Sequence, residues 1–249
     1  MAAASRSISF VHAACGVPLV ASGQWAMMLK AGRKAFSAEV RRMAPLSSAM
    51  VRQTMGVLLR DGASEEGAAL GVGMTLGFVA GAQFSDLRGS THADISVTAE
   101  GLFIRPKSRK NARTKSGAPR AKQLRELAAA RVGGQFCVVE RYEHFAAKCG
   151  WRGSETALLP FKYGNYLALY RKTLQFACGT TAAEAATFGT HSGRRGAAHE
   201  ARAGGAAPRA MRSFGVVTSE HWEDWYADGL IPIERLLVSR QMAQDVARA

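Results

Sequence analysis

The first clear pattern of apolar residues along the chain predicts a helix over about residues 47–60. Pro45 followed by serine is typical of a helix start, and Asp61-Gly62 is typical of an end. Between these signals, apolar side chains recur at the spacing of one helix face, at Met50, Val51, Met55, Leu58 and Leu59. A second, more buried helix is predicted over residues 65–87.

Short alternating runs replace the helical spacing after Asp94 and predict a β-hairpin. The two runs are residues 95–98 and 102–105, separated by a turn that contains glycine. A further strand is predicted over residues 136–139. Helices are predicted after it, around residues 140–149, 160–178 and 181–187. We therefore expect an α+β fold that is mostly helical with a small antiparallel sheet.

One long stretch of the second helix, from Gly67 to Ser85, contains no charged side chain. Gly73, Gly77 and Gly81 repeat there at the four-residue spacing that lets membrane helices approach closely. The stretch is nevertheless rich in Gly and Ala rather than Leu and Ile, and no aromatic belt flanks it. We favour a buried core helix with close neighbours and expect no association with a membrane.

The charge of the chain points to an acidic partner. Its 249 residues include 33 Lys and Arg against 19 Asp and Glu, which gives a formal net charge of +14. An excess of this size favours binding to polyanions such as nucleic acid. With 47% hydrophobic residues, the chain is also too apolar for a disordered protein.

Much of the positive charge is concentrated in residues 107–125, which contain no acidic residue. One interpretation is a solvated flexible loop. We prefer a DNA-backbone contact, because basic residues on and after a hairpin are what phosphate binding requires. The basic side chains are Lys107, Arg109, Lys110, Arg113, Lys115, Arg120, Lys122 and Arg125.

The cysteines do not indicate a metal site. Cys15, Cys137, Cys149 and Cys178 are far apart and include no CxxC pair. We therefore expect reduced, buried thiols, with neither a zinc site nor a disulfide framework.

The segment from Thr190 to Ala198 is the best candidate for chemistry. If a helix begins there, His191 and Arg194 share a face because they are three residues apart. The guanidinium can then donate two hydrogen bonds to phosphate oxygens, while the imidazole exchanges a proton with an attacking or leaving oxygen. In isolation, an HxxR spacing is more typical of a capping histidine beside a surface arginine.

Together with other motifs, this segment resembles the tyrosine recombinases, the phage-integrase-like enzymes, and especially those of eukaryotic mobile elements. The resemblance covers about 200 residues and follows the family order of motifs. These motifs are Gly81 to Leu87, His92 to Ile95, the hairpin ending in Arg105 to Asn111, His191 to Ala198, Ala203 to Ala206, Phe214-Gly215, and Trp222 to Tyr226.

The resemblance implies a catalytic role for several residues. Tyr226 would attack a scissile DNA phosphate to form a 3′-phosphotyrosyl bond, with neither a metal nor a high-energy cofactor. Arg194 would stabilise the transition state, and His191 would assist proton transfer. Lys107 or Lys110 would protonate the leaving oxygen, and the sequence does not separate these two lysines. The expected DNA contacts are Arg88, Arg105, Arg109, Arg113, Lys115 and Arg195.

The resemblance also implies a domain organisation. Residues 1–43 look like the remnant of a helical N-terminal DNA-binding domain followed by a basic connector, and residues 44–249 like the recombinase catalytic domain. The segment before Glu39 lacks acidic residues, as organellar transit peptides do. Its apolar residues near Trp25 favour a buried helix face instead.

Three positions depart from the family pattern. Gln83 stands where the first arginine of the family belongs, and losing one preorganised charge contact costs about 10² to 10³ in rate. Val216 and Val217 stand where a His or Trp is usual. Counted from Gly215, the family spacing places the tyrosine at position 225, where this chain has Trp225. Tyr226 lies one residue further along the chain.

Two functions therefore remain open from the sequence. One is site-specific strand cleavage and rejoining of double-stranded DNA by a homo-oligomer, a synaptic tetramer. The other is a catalytically decayed DNA-binding protein that retains the recombinase fold. Either would act in a compartment that contains DNA, the nucleus if the protein is eukaryotic.

Overall fold

The computed structural model of the protein describes residues 43–107, 126–205 and 232–249, with side chains in the last range described from residue 239. These ranges all fall within one unit, Met43–Ala249. The predicted division at residues 43 and 44 stays a prediction, because residues 1–42 lie outside the described part of the chain.

The first two helices begin where the sequence predicts. Helix α1 is Ser48–Leu58, and the side chain of its N-cap, Ser47, accepts a hydrogen bond from the Met50 N–H at 3.2 Å. Helix α2 is Glu65–Val79, and the Ser64 hydroxyl caps it in the same way. Both caps satisfy backbone donors that the first turn of a helix leaves without a partner.

The predicted continuation of α2 to residue 87 is wrong. The helix ends at Val79, and the chain turns at Gly81, whose φ of 59° places it in the left-handed region that favours glycine. A separate short helix, α3, spans Phe84–Arg88. Gln83 precedes it with extended backbone angles, so Gln83 and Arg88 do not lie on a continuation of α2.

The predicted hairpin is confirmed. Strand β1, Ile95–Val97, pairs antiparallel with strand β2, Gly101–Ile104. A third strand, β3, is Leu127–Ala130 and pairs antiparallel with β2, which gives the sheet the order β1-β2-β3.

The strand predicted over residues 136–139 is wrong. Cys137 is instead the N-cap of helix α4, Val138–Lys148. The two valines of its first turn are buried together with Tyr142 and Phe145. Their β-branched side chains favour a strand locally, but the apolar spacing over the whole segment is helical, and burial of that face decides the outcome.

The remaining helices complete a mostly helical α+β fold with one small antiparallel sheet, as expected. They are α5, Tyr163–Cys178; α6, Ala182–Ala186; α7, Ser192–Ala203; and α8, Pro232–Arg248. Within α8, Met242 and Val246 are buried. The hydroxyl of Ser239 accepts a hydrogen bond from the Ala130 N–H at 2.9 Å, which joins this helix to β3.

Helix α2 forms the centre of the core, and α7 packs against it through glycine. A Cβ added to Gly193 would lie 2.7 Å from the carbonyl carbon of Gly77, so only glycine permits this approach of the two backbones. Gly73 similarly makes room for Leu159. This close packing explains the uncharged, glycine-rich stretch as a core helix. Among the described residues, no helix has the length and apolar character needed to span a bilayer.

The segment Met43–Ser48 is bound along α7. The Leu46 N–H donates to the Ser192 carbonyl at 3.0 Å, and the Ser48 N–H donates to Glu200 Oε1 at 2.6 Å. Gly196 packs so closely on the Leu46 backbone that an added Cβ would overlap it. We call residues 43–48 the strap.

Candidate functional site

The His191 to Arg194 segment opens a helix, as the sequence predicts. His191 is the exposed N-cap residue of α7, and Arg194 lies in the first turn with its side chain 20% exposed. The preceding turn is closed by Ser192, whose hydroxyl accepts a hydrogen bond from the Gly189 N–H at 2.9 Å. The first turn of this helix therefore presents both an imidazole and a guanidinium.

Arg194 is held against the turn between α2 and α3. Its Nε donates to the Gly81 carbonyl at 2.7 Å, across 113 residues of sequence. One terminal nitrogen lies 3.7 Å from the carboxylate of Asp86, which is buried. The carbonyl and the carboxylate together orient the guanidinium. Two motifs that are distant in sequence thus form one site.

Gln83 belongs to the same turn. Its backbone N–H donates to Asp86 Oδ2 at 3.1 Å, so the carboxylate that faces Arg194 also closes the start of α3. The side chain at position 83 is half-buried. This turn therefore carries a neutral amide side chain at position 83.

Lys107 lies among three oxygen acceptors at the end of β2. Its Nζ is 3.2 Å from Thr91 Oγ1, 3.3 Å from Asp94 Oδ2 and 3.4 Å from Glu155 Oε2. The hydrogen bond to Asp94 raises the pKa of Lys107; desolvation acts to lower it, and attraction to both carboxylates together with the hydrogen bond to Glu155 outweighs the desolvation. Burial acts to raise the pKa of Asp94, but hydrogen bonds from Thr91 and Lys107 outweigh it and lower that pKa.

A buried aromatic cluster that the sequence did not reveal lies behind Thr91. His92 stacks on Trp151 with ring centroids 4.6 Å apart, and its Nδ1 is 3.1 Å from the Tyr142 hydroxyl. The Trp151 indole N–H donates to Glu65 at 2.8 Å. Burial lowers the pKa of His92 to about 4, although Glu65 opposes this shift, so the ring is neutral near pH 7. The motif residue His92 therefore packs in the core.

The predicted DNA-contact arginines that the structure describes have different surroundings. Arg88 is exposed at the end of α3. The side chain of Arg105 is 82% exposed and lies 3.8 Å from Glu126. Arg195 donates to the Met43 carbonyl and so binds the strap.

Several predicted site residues lie outside the described part of the chain. They are Arg109, Lys110, Arg113, Lys115 and Tyr226, together with the divergent positions Val216 and Val217. Their roles stay predictions. Within residues 43–107, 126–205 and 232–249, no group of three or more His, Cys, Asp or Glu side chains could hold a metal ion.

No protein-family model matches the sequence, and no curated protein matches it. Among solved structures, the chain is similar to one described as FLP Recombinase-Holliday Junction Complex I, with a TM-score of 0.48 and 13% sequence identity. The alignment covers 95% of this chain and 57% of the recombinase chain, so this chain spans little more than half of that protein's length.

Proposed function

We propose that the protein binds duplex DNA and cleaves and rejoins one strand through Tyr226. The observation that carries this proposal is the contact of Arg194 with Gly81 and Asp86. It joins the two motifs that, in the recombinase resemblance, build the phosphate site. The net charge of +14 supports a polyanionic substrate.

The proposed reaction exchanges one phosphodiester for another. The Tyr226 hydroxyl gives its proton to His191 as its oxygen bonds to phosphorus, the bond from phosphorus to the 5′ oxygen breaks, and a lysine supplies the proton that the leaving oxygen takes up. Arg194 stabilises the negative charge on the non-bridging oxygens, and His191 assists proton transfer. Because the phosphotyrosyl bond retains the energy of the original linkage, the reverse reaction rejoins the strand without a high-energy cofactor.

Two observations favour the second candidate function, a DNA-binding protein that has lost catalysis. Gln83 supplies no charge in the turn that faces Arg194. Lys107, one of the two candidate proton donors, is engaged by two carboxylates, which leaves cleavage dependent on the other candidate, Lys110. Both features weaken cleavage more than binding, because binding draws on many other cations.

A nicked suicide substrate separates the two functions. After cleavage, the short fragment that carries the 5′-hydroxyl diffuses away, so the protein stays covalently bound to DNA. We expect a DNA-linked species from a pool of nicked duplexes of randomised sequence, detected on a denaturing gel. Tyr226→Phe should abolish it, because phenylalanine has no nucleophilic oxygen.

The matched control is Tyr163→Phe, which removes the hydroxyl of a half-exposed tyrosine in α5. This variant should retain the covalent species. If binding persists but no covalent species forms, the second function is correct. A covalent species that survives Tyr226→Phe would assign the nucleophile elsewhere.

The proposed assembly is a homo-oligomer, a tetramer that holds two duplexes together. Cleavage and rejoining between partners needs four active sites, one for each strand. The support is the recombinase resemblance alone, and sedimentation of the protein with a cognate duplex tests it.

A further inference from the structure

The contacts of the Lys107 ammonium are not those expected of a proton donor. Its ammonium contacts three oxygens, at 3.2 to 3.4 Å, from Thr91, Asp94 and Glu155. Two of these oxygens carry negative charge, so the cluster including Lys107 has a net charge of about −1 at neutral pH. A DNA phosphate that approached Lys107 would be repelled by the two carboxylates that hold the Lys107 ammonium. We call Thr91, Asp94 and Glu155 the clamp.

The clamp is built into the fold. Asp94 Oδ2 accepts hydrogen bonds from the Thr91 N–H at 2.8 Å and from the Thr91 hydroxyl at 3.0 Å. The Arg105 N–H donates to the Asp94 carbonyl at 3.0 Å, which ties the same residue to the chain after β2. The Asp94 carboxylate is therefore fixed in place before any ligand arrives.

Glu155 reaches the clamp because its loop is paired with the chain around Thr91. Thr91 forms an isolated β-bridge with Ala157, and the Ala93 N–H donates to the Ser154 carbonyl at 2.8 Å. The stack of His92 on Trp151 supports this pairing from the core side. Two segments far apart in sequence thus converge on one ammonium.

We propose that Lys107 is a positioning residue, which fixes the chain where β2 ends and the basic segment begins, and that it does not protonate the leaving oxygen. This assignment rests on the proposed cleavage function, and it leaves Lys110 as the lysine of this motif for the proton transfer. The raised pKa of Lys107 agrees with it, because a stronger hold on the proton makes a poorer acid.

A substrate with a sulfur atom in place of the 5′ bridging oxygen tests the assignment. A thiol has a pKa of about 8.5, so a thiolate departs without a proton, whereas an alkoxide does not. Loss of the true proton donor should therefore slow cleavage of the oxygen substrate by about 10² to 10⁴ and leave cleavage of the sulfur substrate nearly unchanged. We expect this pattern for Lys110→Gln.

For Lys107→Gln we expect the same loss on both substrates, below about tenfold, because partly exposed ion pairs contribute little. Lys107→Arg should cleave like the wild-type protein, since a guanidinium can bind both carboxylates but is too weak an acid to donate a proton. In the double variant, Glu155→Gln should add nothing to the loss of cleavage caused by Lys107→Gln, because both substitutions break the same cluster. Rescue of Lys107→Gln by the sulfur substrate, or failure of Lys107→Arg, would overturn the assignment.

If the wild-type protein cleaves neither substrate, the cleavage function fails and the clamp is tested separately. The ammonium nitrogen of Lys107 gives an NMR signal that is identified by its loss in Lys107→Arg. We expect this signal to shift in Glu155→Gln and to stay unchanged when duplex DNA is added. A signal that ignores Glu155→Gln, or that moves on DNA binding, would contradict the clamp.

Discussion

At the residue scale, two adjacent arginines have unrelated surroundings. Arg194 contacts the Gly81 carbonyl and faces Asp86, whereas Arg195 binds the Met43 carbonyl. Successive residues of a helix point about 100° apart, so neighbours in sequence face different parts of the fold. The sequence indicated a phosphate role for one arginine and a DNA contact for the other, and it contained no signal of the strap that Arg195 holds.

The position of Gln83 leads to a gain-of-function prediction. Gln83→Arg places a cation in the turn that faces Arg194, and we expect covalent complex formation to speed up by about 10² to 10³. The measurement is the rate at which the suicide substrate becomes protein-linked.

Gln53→Arg is the matched control, because it adds the same charge at an exposed position of α1. An equal increase in both variants would mean that general attraction to DNA is responsible. No increase in Gln83→Arg would contradict the assignment of position 83 to the phosphate site.

At the element scale, the site depends on the contact between α2 and α7. The two helices approach at Gly77 and Gly193, and α7 packs on the strap at Gly196. This arrangement fixes the direction in which the first turn of α7 presents its side chains. Arg194 reaches the Gly81 carbonyl because the helix backbones are this close.

Gly193→Ala should therefore destabilise the protein. Its added methyl group would lie 2.7 Å from the backbone of Gly77, which cannot rotate away as a side chain can. We expect a loss of about 1–3 kcal/mol in the free energy of unfolding, measured by urea denaturation.

The control is Gly56→Ala in α1, where an added Cβ meets nothing within 4 Å. This substitution should stabilise the helix by up to about 1 kcal/mol, because alanine favours helix more than glycine does. Equal effects of the two substitutions would show that the α2–α7 contact tolerates a larger separation.

The elements that the sequence predicts well are those with a strong local signal. The serine cap predicts helix α1, and the alternation of apolar and polar residues predicts the β1–β2 hairpin. Strand β3, with the sequence LAAA, was missed because alanine has little preference for strands; its pairing with β2 and α8 comes from tertiary structure.

The candidate site was predictable only in part, for a related reason. The helix start at His191 is a local feature, and the role of Arg194 stays a prediction from the family resemblance. The clamp around Lys107 requires residues 91, 94 and 155 to meet, and no periodicity in the sequence relates Glu155 to that hairpin. Spatial contacts of this kind depend on how loops pair, which local patterns do not encode.

At the scale of the whole molecule, the positive charge is unevenly distributed along the chain. Residues 107–125 contain eight Lys and Arg and no acidic residue, whereas Lys107 itself is balanced by carboxylates. The cations that remain for a DNA backbone in this segment follow Lys107. Binding should therefore be more robust to single substitutions than cleavage is.

We predict a steep dependence of DNA affinity on salt. The logarithm of the binding constant should fall by about 0.9 per neutralised phosphate against the logarithm of salt concentration, measured by fluorescence anisotropy. Replacing both Arg113 and Lys115 with glutamine should reduce the magnitude of this slope by the contribution of about two neutralised phosphates.

Arg248→Gln, at the exposed end of α8, is the control for this measurement and should leave the slope unchanged. A flat response between low and moderate salt would contradict DNA binding in both proposed functions.

The strap bears on where a junction between protein segments could arise in this fold during evolution. Residues 43–48 lie outside any helix for most of their length, yet hydrogen bonds join them to both ends of α7. They therefore fold together with the helix that carries Arg194, although most of them precede the first helix of the described chain. A junction placed inside the strap would break these hydrogen bonds and loosen the helix that carries Arg194.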